Sequence, residues 1–300
     1  LRGLRHVVQG QLPEFILRPA FLILLVLAVH FGLSAHALTA SDAMMLHAVA
    51  SLVAFIIGAY LLLRARPGAF REASTVTTRR RLWLASALPL GMVEGMHMIN
   101  GNIGAIAVGL MLPAEEVGFL RIAFQASVLV SFGVLAINVV VAPHMSRLLQ
   151  NNDLLRIQIL VTKGARACLL LALPVAVCLI AFGHIFLVEF FGPSFAPAYN
   201  LMIILIFGHL VNAIIGSAGI LLQMAKDEKY ILLSVIGSIV FHIILLAASF
   251  PVLGVTGAAA SYAIVQVALN AILFLRSLKL LRINCSPVSS KRLFNLFSGP

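Results

Sequence analysis

Charge is what this sequence has least of. Asp, Glu, Lys and Arg make up only 10% of its 300 residues, against about 25% in soluble globular chains. That shortage excludes a water-covered globule of this length. Cysteine is nearly as scarce: Cys168, Cys178 and Cys285 stand alone, with no CxxC or metal-ligand spacing. A zinc site or a disulfide framework is therefore not expected, and Cys168 and Cys178 read as small apolar fillers of a helix. The single tryptophan, Trp83, leaves little for the aromatic cages that capture cations. No zinc motif, Walker sequence or nucleotide-binding Gly-rich loop occurs. We accordingly expect no catalytic residue, no metal and no resident cofactor. LRGLRHVVQGQLPEF has no signal-peptide pattern, and the chain opens on Leu1, so the expectation is a fragment entered partway through a longer protein.

What is present is apolar and arranged in blocks. Hydrophobic residues reach 61%, the mean hydropathy is +1.07, and the runs are of the 18 or more residues that cross a bilayer core as helix. Continuous runs, rather than period-two alternation, argue against a barrel. The fold class expected is an all-α, polytopic transmembrane helix bundle. Reading runs against breaks predicts eight spans, at about 15–33, 43–63, 82–112, 118–141, 165–190, 198–224, 230–250 and 255–275.

The loops test that reading. RARPGAFREASTVTTRRR holds six arginines, whereas HFGLSAHALTASD, LPAEEV, GPSFAP and PVLG hold no Lys or Arg. Alternate connections collect the basic residues, so that twenty of the 21 fall on one side and only Arg121 does not. This is the positive-inside pattern. It puts both ends in the cytoplasm and accounts for the net charge of +11 without a nucleic-acid partner. Basic loops of this kind can also meet anionic headgroups. The outer loops are short, which disfavours a membrane enzyme with a large external catalytic loop. The chain divides into two spans (1–64), a basic connector (65–81), six spans (82–282) and a basic tail (283–300).

Within the third span, GMVEGMHMINGN breaks the apolar run with Glu94, His97, Asn100 and Asn102. Glu94, His97 and Asn100 recur every third residue, as a slanted ridge on a helix. An ionisable group near mid-membrane costs at least ~2.5–3.5 kcal/mol by insertion scales, so it is expected to face a cavity. Glu94 is read as a group that exchanges a proton with His97 as its partner. The bland alternative is an interhelical hydrogen bond that locks the bundle. Arg121 and Gln125 lie one turn apart at the outer start of span four, where Arg121 could hold a phosphate or equally reach water. His209 and Asn212 in span six, His242 in span seven, and Gln266 and Asn270 in span eight have spacings compatible with a shared wet interior. The substrate or coupling-ion cavity is assigned to Glu94, His97, Asn100, Asn102, Arg121, Gln125, His209 and Asn212.

LPAEEVGFLRIAFQASVLVSFGVLAINVVVAPHMSRLLQNND resembles the lipid-linked oligosaccharide flippases of the MOP superfamily, the polysaccharide biosynthesis and O-antigen export proteins. The likeness rests on Glu116, Val117, Gly118, Arg121 and Pro143, then on Gly192, Phe195, Gly216, Gly219 and Met224, and on Pro251, Gly254 and Gly257. At the front, Arg18-Pro19 opens the first span in a similar way. The resemblance implies a MATE/MOP-like architecture of two lobes around a central cavity. Residues 1–64 would be the last two helices of the N-terminal lobe and 82–282 a six-helix C-terminal lobe. There is one departure. Where relatives carry an acid near Gly104, this chain has Asn102, and Glu94 and His97 lie a turn or more deeper; either they substitute for that acid or the ion coupling differs.

The resemblance also implies a bacterial cytoplasmic (inner) membrane protein. It would flip a polyprenyl-diphosphate-linked oligosaccharide by alternating access, coupled to a proton or sodium gradient, for O-antigen, capsule or exopolysaccharide assembly. Its partners would be the bilayer, the glycan-lipid and other glycan-assembly membrane proteins. A MATE-like cation-coupled drug or solute antiporter is the alternative. A catalytically silent scaffold for a glycan-assembly complex is a third reading.

Overall fold

The computed structural model describes residues 12–32, 39–64, 80–215 and 217–287. Most of the expected basic connector, the end of the tail, Gly216, Arg2 and Arg5 lie outside the described residues. The chain forms two compact units, Leu1–Thr78 and Arg79–Pro300. Among the described residues all regular structure is helical.

In the first unit a π-helical turn, Pro13–Leu17, runs into α1 (Arg18–Gly32), and α2 (Ala40–Arg64) follows. Thr39 starts α2 by a reciprocal cap. Its backbone N–H donates to Asp42 Oδ2 at 3.0 Å while its Oγ1 accepts from the Asp42 N–H at 3.3 Å, so two otherwise unpaired donors are satisfied. Arg18 hydrogen-bonds His47 across the α1–α2 pair. Gly58 lets the Pro13 ring approach, since a Cβ there would stand 3.3 Å from Pro13 Cγ.

The second unit begins with α3 (Arg80–Met111). Next, α4 (Ala114–Val128), a 3-10 turn at Leu129–Ser131 and α5 (Phe132–Gln150) make one rod. Asp153 caps α6 (Leu154–Phe191), its carboxylate accepting from the Arg156 N–H at 3.1 Å. Gly192, at φ 97°, ends α6 in a conformation that side chains avoid. A 3-10 turn, Pro193–Phe195, leads to α7 (Ala198–Ile215), α8 (Ala218–Met224) and α9 (Glu228–Leu281).

A straight helix of the 54 residues in α9 would be about 80 Å long. It is instead a hairpin. Gly254 leaves the helical region (φ 54°, ψ −131°), and Ser249 Oγ donates to Gly257 O at 3.2 Å. At the far ends of the arms Arg276 Nε donates to Asp227 Oδ2 at 2.7 Å, and its guanidinium lies 4.4 Å from the centre of the Tyr230 ring. These residues could not meet unless the chain turned back. The arms match the expected seventh and eighth spans, with PVLG as the turn.

Five helical stretches among the described residues are long and apolar enough to cross a membrane: Ser41–Arg64, Ala114–Gln150, Leu154–Phe191, Ala198–Ile215 and Glu228–Leu281. Arg18–Val29 is a shorter apolar stretch. Large apolar side chains such as Leu110 (81% exposed), Phe190 (75%) and Leu170 (71%) cover the outside. A water-soluble protein does not present patches of that size; a lipid-facing one does. The protein is a multi-pass membrane helix bundle.

Three boundaries depart from expectation: the fourth span, expected to end near 141, runs on through Pro143 to Gln150. The fifth span was expected from residue 165, but α6 starts at Leu154. Arg156, Gln158 and Lys163 hide this turn of helix from a hydropathy reading while Ile157 and Val161 pack into the core beneath them. The sixth span was expected to run to 224, but α7 stops at Ile215 and α8 restarts at Ala218.

Small residues set how closely the helices approach. A Cβ on Gly208 would lie 3.2 Å from Ala263 Cα, and one on Gly104 would lie 3.7 Å from Ala258. Close Gly/Ala contact replaces a hydrophobic driving force that lipid surroundings do not supply. After α9, Arg282 (φ 56°) turns the chain onto α6. There Gln158 Nε2 donates to Asn284 O and Asn284 N–H donates to Gln158 Oε1, both at 2.8 Å. Ile283 and Cys285 are thereby buried.

Candidate functional site

The polar residues of α3 diverge. Steps of three residues lag a helical turn by about 60° each, so Asn100 has rotated roughly 120° from Glu94. Glu94 and His97 open into a cavity of about 240 Å³. Asn100 instead turns into the protein, where His242 Nδ1 donates to its Oδ1 at 2.7 Å. Asn100 is 3% exposed and His242 fully buried. The ridge read from the sequence is therefore two faces, one open and one packed against α9.

The cavity lies wholly within the second unit. Its polar wall comes from five helices: Glu94 and His97 of α3, Asn138 of α5, Asn212 of α7, Gln223 of α8, and Glu228, Gln266 and Asn270 of α9. Ser217 completes it, its Oγ donating to Asn138 Oδ1 at 2.5 Å. Asn270 Nδ2 donates to Gln266 O one turn back, at 2.8 Å. Five carboxamides and two carboxylates line the space, and none of its lining residues is Lys or Arg. Each amide offers both donor and acceptor, the pattern that hydroxyl-rich or hydrated solutes match.

A second cavity, of about 340 Å³, follows along α3. It is lined by His97, Asn102, Arg121, Gln125, Phe124 and Tyr262 among others. Asn102 anchors locally, its Nδ2 donating to Met98 O at 2.6 Å. Arg121 is the cation here. The first cavity touches α3 at residues 93–97 and the second at 97–102, so they succeed one another along the helix axis. His97 belongs to the wall of both.

Of the residues singled out in the sequence, Glu94, His97, Asn212, Gln266 and Asn270 line the first cavity, and His97, Asn102, Arg121 and Gln125 the second. Asn100, His209 and His242 line neither. His209 is buried, and its Nδ1 pairs with Ser131 Oγ at 2.8 Å. The Nε2 atoms of His209 and His242 are buried with no partner among the described residues, and the Tyr262 ring centre stands 6.4 and 6.1 Å from theirs. Sequence reasoning missed Asn138, Ser217, Gln223 and Glu228. A single Asn within FGVLAINVVVAP was the available signal for Asn138, whereas Glu228 was read as part of a loop. Among the described residues no group of three or more His, Cys, Asp or Glu is placed to hold a metal.

Membrane-crossing helices around consecutive polar cavities define the class: an integral membrane protein with an internal hydrophilic space. A family model described as polysaccharide biosynthesis protein matches residues 18–200, more than half of the chain. The protein belongs to that family, and its role lies in polysaccharide biosynthesis. The match covers α1 to α6, while Asn212, Gln223 and Gln266 lie beyond it. No curated protein matches the chain.

Proposed function

We propose that the protein is a transporter and not an enzyme, which moves a polyprenyl-diphosphate-linked oligosaccharide from the inner to the outer leaflet for cell-surface polysaccharide assembly. The single observation that carries this reading is the amide-lined cavity among membrane-crossing helices of a polysaccharide biosynthesis protein. Sugar hydroxyls pair with carboxamides in both directions, and Arg121 in the neighbouring cavity suits a phosphate. The basic loops orient both ends toward the cytoplasm of a bacterial inner membrane. Glu94 and His97 are the coupling pair for a proton or sodium gradient, and alternating access presents the cavities to each side in turn.

The test is to separate glycan-lipids by leaflet in cells lacking the gene. Intact glycan-lipid is expected to accumulate on the cytoplasmic side and to clear on complementation. Replacing Asn212 and Gln266 together by Leu removes about two net hydrogen bonds of roughly 0.5–1.5 kcal/mol each, so clearance is expected to slow by about tenfold or more. A normal leaflet distribution in the deletion strain would refute the reading.

One observation favours a second reading. The first cavity carries Glu94 and Glu228 and neither Lys nor Arg, a charge balance that attracts cations. A MATE-like cation antiporter predicts normal glycan-lipids, sensitivity to cationic drugs in the deletion strain, and loss of protection in Glu94→Gln.

A further inference from the structure

Away from both cavities, the hairpin of α5 and α6 carries a cleft of about 440 Å³. Its lining has a regular origin. α5 contributes His144, Arg147 and Leu148, with Asn151 at its C-cap, and α6 contributes Arg156, Ile159, Leu160 and Lys163. Each set is spaced i, i+3, i+4, i+7, one face of a helix. The opposite faces, with Met145 and Val161, are buried in the core, so the cleft faces are fixed outward. Four of the eight lining residues are Lys, Arg or His, and none is acidic. Asp153, in the turn between the two helices, pairs with Arg156 at 3.2 Å.

We propose that this cleft binds the phosphate headgroup of an anionic bilayer phospholipid. Height in the membrane selects a lipid over a soluble anion. The 38 residues of α6 span about 57 Å, whereas the hydrocarbon core is about 30 Å. The N-terminal turns of α6 therefore rise through the headgroup layer, and Lys163 precedes the apolar run that begins near Ala165. The walls agree: Leu148, Ile159 and Leu160 lie between the cations, and Leu155 beside them is 63% exposed. Phosphate meets Arg147, Arg156 and Lys163, and the first methylenes of the acyl chains meet the leucines. The volume equals roughly fifteen water molecules at about 30 Å³ each, room for a phosphate and its glycerol. The assignment is independent of what the central cavities carry.

The test is native mass spectrometry of the purified full chain, titrated with phosphatidylglycerol, with phosphatidylcholine and with inorganic phosphate. Wild type is expected to retain phosphatidylglycerol in preference to phosphatidylcholine. At about 1 kcal/mol per basic residue near an anionic surface, Arg147→Gln combined with Lys163→Gln is expected to weaken it about 30-fold at low salt. Both side chains are exposed, so the fold is retained. Lys229→Gln, an exposed cation outside the cleft, is expected to cost no more than about fivefold by the same rule. Three results would overturn the proposal: equal retention of phosphatidylcholine, a double variant no weaker than Lys229→Gln, or displacement of the lipid by an equal concentration of inorganic phosphate.

Discussion

The pair Asn100–His242 can be taken apart quantitatively. Its two side chains are buried, 2.7 Å apart, on helices α3 and α9. With Nδ1–H donating to Asn100 Oδ1, the other ring nitrogen, Nε2, has no protein partner. Asn100→Ala therefore removes the one protein hydrogen bond of His242 and leaves both nitrogens unsatisfied. In a water-referenced fold, orphaning a buried group costs about 1–3 kcal/mol. Within a bilayer the disassembled helices also find partners, and measured couplings average about 0.6 with a maximum near 1.7 kcal/mol. The second scale applies here, because the helices are already inserted before they associate. We expect Asn100→Ala to destabilise by about 1–2 kcal/mol, including the loss of packing. His242→Phe removes the unsatisfied nitrogen together with the bond but orphans the buried Asn100 Oδ1, so it is expected to cost about as much. The double variant should fall short of additivity by about 0.6–1.7 kcal/mol. The assay is denaturing-detergent unfolding in mixed micelles, followed by far-ultraviolet circular dichroism. A coupling below about 0.3 kcal/mol, the ordinary error of additivity, would refute the claim that this contact holds α3 to α9.

Two further predictions concern the second unit. A Cβ on Gly257 would stand 2.7 Å from the backbone oxygen of Ser249, so Gly257→Ala should prise apart the arms of α9 at about 1–3 kcal/mol. Gly104→Ala, which meets Ala258 at an ordinary 3.7 Å, should be neutral or stabilising by up to about 1 kcal/mol; the same unfolding assay separates them. Cys285 lies beyond the end of α9, and burial pushes its thiol from 9.0 up to about 11. The unfolded thiol ionises first, so its contribution is full below pH 9 and is lost as pH rises through 11, about 2–3 kcal/mol in all. Maleimide at pH 8 should label Cys285 far more slowly in the folded protein than after denaturation, and equal rates would contradict its burial.

The helical class and the turn within α9 were legible because long apolar runs and a PVLG break leave few alternatives. The start of α6 was not. Arg156, Gln158 and Lys163 lower the local hydropathy to that of a loop, although Ile157 and Val161 carry the helical spacing beneath them. The polar face of α3 was legible as a set of unusual residues but not as a geometry. Spacing by three groups Glu94, His97 and Asn100, yet the accumulated lag of about 60° per step takes Asn100 to another helix. Glu228 and Gln223 were opaque for a different reason: each stands beside the AKDEK turn, where polar residues are ordinary. Only the fold-back of α9 and the break before α8 bring them beside Glu94.

His97 forms part of both cavity walls, and this has an electrical consequence. Filled with water, each cavity is a conductor at the potential of the solution it joins. Were the two to open to opposite solutions, the membrane voltage would fall over the protein that separates them rather than over the roughly 30 Å of hydrocarbon. A full crossing is worth about 2.3 kcal/mol per elementary charge at 100 mV. A proton that reached His97 from one cavity and left by the other would draw most of that energy while moving less than the width of a helix. The imidazole would then act as a voltmeter.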